Sequence, residues 1–204
     1  MYAKFFKPLM DFIAALISVL LTLIPMIIIG ILVVATSPGP AIYTQKRVGR
    51  GKKLFTLLKF RTMKKGTPEV ATHLLESPKD CITPIGRFLR KYSLDELPQL
   101  FNILTFKMSF VGPRPALWNQ DDLVAERDRY GANDIRPGLT GWAQINGRDE
   151  LSIPDKAALD GEYVKRMGPI FDLTCLFGTV KAVFKAEGVR EGKSGERGAG
   201  QSNK

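Results

Sequence analysis

The sequence predicts a mostly helical α+β protein with an apolar, membrane-seeking segment at its head. Three observations predict it. Phe12–Ala35 carries no charged residue, a run of about 24 residues that is long enough to cross a bilayer. Ala41–Gln45 and Leu54–Phe60 flank the turn-forming Val48-Gly-Arg-Gly-Lys-Lys53, as the two strands of a short β-hairpin would. Beyond Thr83, stretches with helical start signals alternate with two segments dense in Gly and Pro. The chain divides into a membrane segment with its flanks at 1–40, a mixed domain at 41–187, and a Gly/Ser/charged tail at 188–204 that reads as flexible.

The apolar segment admits two topologies. Pro25 lies in its middle and removes an internal hydrogen bond, and Ser18 and Thr22 lie upstream where their hydroxyls can serve freed carbonyls. Both flanks are basic, with Lys4 and Lys7 before and Lys46, Arg47, Arg50, Lys52 and Lys53 after. Basic flanks favour the cytoplasm, so both ends ask for the same side. A helix broken at Pro25 that dips into one leaflet and returns satisfies both, and a simple spanning helix satisfies one. The run exceeds a usual signal-peptide core.

The hairpin delivers Lys59 and Arg61 in Lys59-Phe-Arg-Thr-Met63, alternate cations that suit either phosphate binding or a solvated edge. Lys64–Thr83 reads as a surface loop with one helical turn. Thr83-Pro84 is an N-cap followed by proline at the first helical position, and opens a helix carrying Arg87, Arg90 and Lys91 to about Tyr92. Ser93-Leu-Asp-Glu-Leu-Pro98 then places two acids at a predicted helix start. Ser93-x-x-Glu96 fits a capping box, and Pro98 fits a first turn. That helix is expected to run from Asp95 to about Phe106 and to bury Leu97, Leu100, Phe101 and Leu104. Taken alone, Asp95 and Glu96 read as a cap. Among cations and beside a membrane segment, they read as groups for phosphate chemistry.

Ser109-Phe-Val-Gly-Pro-Arg-Pro115 reads as a constrained loop, and Trp118–Tyr130 as an acidic helix. Ile135–Arg148 gathers Arg136, Pro137, Gly138, Trp142, Gln144, Asn146 and Arg148, a composition suited to ligand recognition with exposed backbone N–H groups and a stacking aromatic. Pro154–Met167 and Ile170–Ala186 are helices. The second is amphipathic and suits either core packing or a membrane surface.

Composition narrows the partners. The 204 residues are 45% hydrophobic with a formal net charge of +10, which fits contact with lipid and with anions. Nucleic acid is disfavoured, since an apolar segment leads the chain and no nucleic-acid-binding motif follows. Cys81 and Cys175 have no metal or redox spacing and read as reduced thiols. His73 is the single histidine, which argues against a histidine triad or a zinc site.

Together these stretches resemble the bacterial sugar transferase family, most closely its small monotopic phosphoglycosyl transferases. The likeness rests on Lys7-Pro-x-x-Asp11 with its apolar run, Lys59-Phe-Arg-Thr-Met63, Ser93-Leu-Asp-Glu-Leu-Pro-Gln-Leu-Phe-Asn-Ile-Leu104, Met108-Ser-Phe-Val-Gly-Pro-Arg-Pro115 and Arg136–Arg148, and it extends to Asp160. It implies transfer of a sugar 1-phosphate from a UDP-sugar to a polyprenol phosphate, the first step of lipid-linked glycan assembly. It implies a bacterial inner-membrane location with the catalytic domain in the cytoplasm. It also implies Asp95 as nucleophile, Glu96 as its catalytic partner, Mg²⁺ held by Asp95, and a re-entrant helix broken at Pro25. Lys59, Arg61, Arg90 and Arg114 would then clamp phosphate oxygens. Arg136, Pro137, Gly138, Gln144, Asn146, Arg148 and Asp160 would complete the substrate site. The chain departs from the family at Phe106-Lys107, where Gly-Asp or Gly-Glu is usual. The competing readings are a non-catalytic membrane-anchored module for anionic ligands, and the same chemistry on a bitopic anchor.

Overall fold

The structure is a computed structural model and describes residues 1–67, 78–147 and 150–185. His73, Arg148 and the tail 188–204 lie outside them. A turn of π-helix, Tyr2–Phe6, leads into α1, Lys7–Thr36, whose 30 residues span about 45 Å. α1 runs uninterrupted through Pro25, which corrects the break expected there. Packing explains the difference, because buried Val19, Met26 and Val33 hold the helix on both sides of the proline. The Thr22 hydroxyl bonds the Ser18 carbonyl at 2.7 Å, one turn before the carbonyl that Pro25 leaves free.

The buried residues of α1 are Lys7, Asp11, Ala15, Val19, Met26 and Val33, spaced by four or seven and therefore on one face. The opposite face exposes Leu9, Ile13, Leu20, Ile24, Ile28 and Ile31. One helix thus presents a narrow docking stripe to the protein and a wide apolar face outward.

The hairpin forms as expected. β1, Ile42–Val48, pairs antiparallel with β2, Leu54–Phe60, setting Tyr43 opposite Lys59 and Arg47 opposite Phe55. After α2, Pro78–Cys81, comes α3, Pro84–Lys91, capped by the Thr83 hydroxyl, which accepts the Gly86 N–H at 3.0 Å. The predicted helix from Asp95 divides in two. Leu94–Glu96 is a single 3₁₀ turn, and α4 begins only after Pro98, at Gln99–Leu104. α4 buries Leu100 and Ile103, whereas Phe101, expected inside, is exposed. Asn102 is buried instead. Its amide accepts the Leu58 N–H at 3.0 Å and donates to the Thr56 carbonyl at 2.8 Å, lying against β2 as a strand would.

β3, Ser109–Val111, pairs in parallel with β4, Gly138–Thr140. This second sheet joins two segments that read as loops in the sequence. A Cβ at Gly112 would lie 2.6 Å from the Arg136 carbonyl oxygen, so glycine here serves backbone-to-backbone approach rather than exposure of N–H groups to a ligand. α5, Asp121–Asp128, α6, Trp142–Ile145, α7, Ile153–Arg166, and α8, Pro169–Lys185, complete the fold.

Three apolar clusters form the core. Ala15 and Val19 pack with Phe55, Leu57, Leu100, Ile103 and Met108. Met26 and Val33 pack with Phe60 and Leu89, and Leu94 and Leu97 border them. Val111, Tyr163, Phe171 and Cys175 form the third. The first two clusters are shared between α1 and the mixed domain.

Phe106 closes α4 in the left-handed region at φ 58°, a place where glycine is usual. The strain of about 1 kcal/mol is offset by contacts that glycine lacks. The Phe106 ring stacks on Phe12 of α1 with centroids 5.6 Å apart, and the Arg136 guanidinium lies 5.4 Å from its centre.

Candidate active site

Strand alternation directs Tyr43, Gln45 and Arg47 of β1 to the half-buried face of the hairpin, and the register sets Lys59 across from Tyr43. The 3₁₀ turn before α4 brings Glu96 to that face. Glu96 Oε1 receives Lys59 Nζ at 3.0 Å and Arg114 Nη2 at 2.8 Å. One carboxylate oxygen therefore ties β2, the 3₁₀ turn and the loop after β3 together. Burial alone would push the Glu96 pKa up, but Arg114 and Lys59 hold it well below the usual carboxylate range.

Asp95 is buried beside this pair, and among the described residues its carboxylate makes no hydrogen bond or ion pair. Burial raises its pKa. Lys59, Arg90 and Arg114 act in the opposite direction, and the Glu96 charge adds to the rise. The cap predicted for these acids is absent. Ser93 sits at φ 56° with no side-chain cap bond, and Pro98, at the head of α4, cannot supply one. The segment is held instead by Leu94 and Leu97 against the cluster of Met26, Val33, Phe60 and Leu89. A left-handed serine that caps nothing is a local cost, and such costs gather at functional sites.

Arg47 belongs to the site, although in the sequence it reads only as a flanking cation. Its guanidinium donates to the Pro115 carbonyl at 2.9 Å and to Gln45 Oε1 at 2.8 Å, so it grips the loop that carries Arg114. Burial, with Arg114 nearby, lowers its pKa to about 10, and it stays charged at neutral pH. The i, i+2 spacing of Tyr43, Gln45 and Arg47 was the signal that could have found it. Arg90, in the last turn of α3, faces Asp95 closely enough to favour its ionised form.

Other predicted site residues have structural duties. Arg61 turns away from Lys59, and its guanidinium donates to the carbonyls of Ser37, Pro38 and Gly39 just past α1, at 2.6 Å for Ser37. The strand ends at Phe60, so alternation no longer governs where Arg61 points. Asp160 is 1% exposed and pairs with Arg127 at 2.6 Å between α7 and α5. Trp142 donates to Glu162 at 2.8 Å and packs on Phe171, which makes it a joint of α6, α7 and α8 rather than a stacking platform. Gln144 donates to the Leu139 carbonyl and Asn146 to the Trp142 carbonyl, both within their own segment. Pro137 and Gly138 act through their backbones. The Ser109 N–H donates to the Pro137 carbonyl, and the Gly138 N–H to the Pro113 carbonyl, both at 2.9 Å. They fix the Arg114 loop, while the Arg136 side chain lies on Phe106 at the far end of α4 from Asp95.

The site is therefore an ionised, doubly clamped glutamate, a buried aspartate unpaired among the described residues, and a surround of Lys59, Arg114, Arg47 and Arg90. Residues 2–186 match the profile of the bacterial sugar transferase family. The chain belongs to this family. Among its relatives, the UDP-galactose-lipid carrier transferase of Erwinia amylovora is 36% identical over 91% of this chain and 42% of its own length. The undecaprenyl-phosphate galactose phosphotransferase of Salmonella typhimurium is 38% identical over the same shares. The chain thus spans less than half the length of these two. An uncharacterized sugar transferase of Bacillus subtilis, EpsL, is 39% identical over 91% of this chain and 90% of its own. In this family member the two Gly/Pro-rich motifs meet as the β3–β4 pair, and the acid-pair motif meets the hairpin motif at Glu96.

Because Arg61 forks three carbonyls, a lysine cannot replace it. Arg61→Lys is expected to lower stability by about 2 kcal/mol, read as an earlier unfolding transition in detergent micelles. Lys64→Ala, on the exposed segment after it, should leave the transition unchanged. Equal stability of Arg61→Lys and wild type would return Arg61 to the list of ligand-binding candidates.

Proposed function

We propose that this chain transfers a sugar 1-phosphate from a UDP-sugar to a polyprenol phosphate on the cytoplasmic face of a bacterial inner membrane. The observation that carries the reading is the contrast between the two adjacent acids. Glu96 is held on Oε1 by both Lys59 and Arg114, whereas Asp95 is buried, uncapped and unpaired among the described residues. A carboxylate that no hydrogen-bond donor occupies retains its lone pairs for an electrophile.

In this reading an Asp95 oxygen attacks the phosphorus that bears the sugar. The phosphoanhydride bond breaks, UMP leaves with its electron pair, and a phosphosugar-aspartyl ester forms. A phosphate oxygen of the polyprenol phosphate then attacks the same phosphorus, and the Asp95 carboxylate is released. Lys59, Arg114 and Arg90 offset the charge of two anionic substrates. The described residues form no cluster of three metal-binding side chains, so a Mg²⁺ would be held from the protein by Asp95 alone, and the substrate would have to complete its oxygen ligands. When bound, the ion would neutralise diphosphate charge. Glu96 holds the two cations in register rather than acting as a base, because a carboxylate this strongly paired has little affinity for a proton.

The position of α1 supports a re-entrant or interfacial setting. Protein contacts run along its whole length, from the Lys7–Asp172 ion pair to Val33 in the Phe60 cluster. A spanning helix would carry one end about 30 Å away across the hydrocarbon. This supports the reading in which both ends of α1 face the cytoplasm. Cysteines introduced at Lys4 and Lys46 should label from that side alone, and labelling of the two from opposite sides would establish the bitopic alternative.

Asp95→Asn keeps the shape of the residue and removes the nucleophile. Incubated with UDP-sugar and Mg²⁺ and no acceptor, wild type should gain the mass of a sugar phosphate in intact-protein mass spectrometry, and the variant should not. Normal turnover of Asp95→Asn would eliminate the covalent route. A non-catalytic binding module would release no UMP from any UDP-sugar.

The raised Asp95 pKa sets the acid limb of the activity. The nucleophile must be ionised, so kcat/KM falls as pH drops through that pKa, at a higher pH than an ordinary aspartate near 3.8 would give. Glu96→Gln removes the charge that adds to the rise, so the limb of whatever activity remains should move to lower pH. A limb that moves up instead would place the titration on another group.

A further inference from the structure

The first turns of α1 carry a buried polar network with no part in the scheme above. Asp172 of α8 accepts Lys7 Nζ and the Tyr2 hydroxyl on Oδ2, each at 2.6 Å. The Tyr163 hydroxyl donates to Asp172 Oδ1 at 2.7 Å and lies 3.0 Å from the Val111 carbonyl oxygen. Asp11 accepts the Ser109 hydroxyl at 2.7 Å and faces the Phe110 N–H at 3.5 Å. Lys7, Asp11 and Asp172 are each at most 9% exposed, and Ser109 and Tyr163 are 1% exposed.

Burying a lysine and two carboxylates costs several kcal/mol that apolar side chains would not incur. Attachment of α1 is already supplied by the stripe from Ala15 to Val33. What the network adds is position, and it reaches β3 through Asp11 and Tyr163. Asp11 holds Ser109 and Phe110, and Tyr163, its hydroxyl fixed by Asp172, packs against Val111, so each residue of this three-residue strand meets one of the two. The next residues are Gly112, Pro113 and Arg114, and Arg114 is the guanidinium on Glu96.

We propose that Asp11 and Tyr163 are positioning residues for Arg114. The docked start of the membrane helix holds β3, and β3 sets the guanidinium against Glu96, so seating of α1 completes the anion site. The inference rests on the transferase reading for its activity readout.

The test is a double-mutant cycle on the full chain in detergent or nanodiscs. Tyr163→Phe and Asp11→Ala should each lower kcat/KM for the UDP-sugar by about tenfold, the scale of one buried hydrogen bond. In an Arg114→Ala background the same changes should cost less than about twofold, because the residue they act through is gone. Tyr163→Phe is nearly isosteric and guards against a variant that fails to fold. Hydrogen exchange at residues 109–114 supplies a readout free of activity, and both variants should speed it there while leaving 54–60 unchanged. Additive losses in the cycle overturn the proposal. If wild type releases no UMP from any UDP-sugar, the transferase reading fails by itself. Exchange at 109–114 then decides the coupling, and unchanged exchange overturns it.

Discussion

The arrangement depends on one carboxylate oxygen. Glu96 Oε1 sits between Lys59 and Arg114, so β2, the 3₁₀ turn and the loop after β3 converge on a single atom. A buried glutamate is costly without partners and acceptable with two cations in good geometry. Lys59 and Arg114 both reach Glu96, and among the described residues Asp95 keeps an unshared carboxylate in a field of positive charge. Adjacent acids with opposite environments are how one short segment can hold both a fixed anchor and a reactive group.

Each arm of the clamp has its own support. Lys59 stands on a strand whose free edge is covered by the Asn102 amide, which also fixes α4 and hence the turn carrying Glu96. Arg114 stands on a loop held by Arg47 at Pro115, by β4 through the Gly138 N–H, and by β3 behind it. The close backbone contact between Gly112 and Arg136 shows why the two Gly/Pro-rich motifs must lie together. The family's motifs, separated in sequence, are neighbours around this clamp.

Much of this was legible in the sequence, and the misses have physical causes. The hairpin, the Thr83 cap, the apolar helix and the acid pair carry strong local signals of alternation, capping chemistry and charge. β3 and β4 carry almost none, because three-residue strands show no period and parallel pairing joins residues far apart in the chain. The carbonyl contacts of Arg61 were not foreseen, since i, i+2 spacing implies one face only while the strand lasts. Asp160 looked like a ligand because nothing local announces that Arg127, 33 residues away, is its partner. The break at Pro25 was inferred from a missing hydrogen bond, whereas packing of Val19, Met26 and Val33 carries the helix across it.

Leu94 and Leu97 bracket the acid pair and pack on the cluster of Met26, Val33, Phe60 and Leu89, which ties them to α1, whose other face is bare hydrocarbon. Asp95 therefore rides on the helix like a mark on a gauge. A bilayer that grows thicker, or a helix that tilts within it, carries the carboxylate along, and the separation between the acid and the apolar surface stays a constant of the fold. The height at which this residue works is set by the packing of the protein and not by the lipid.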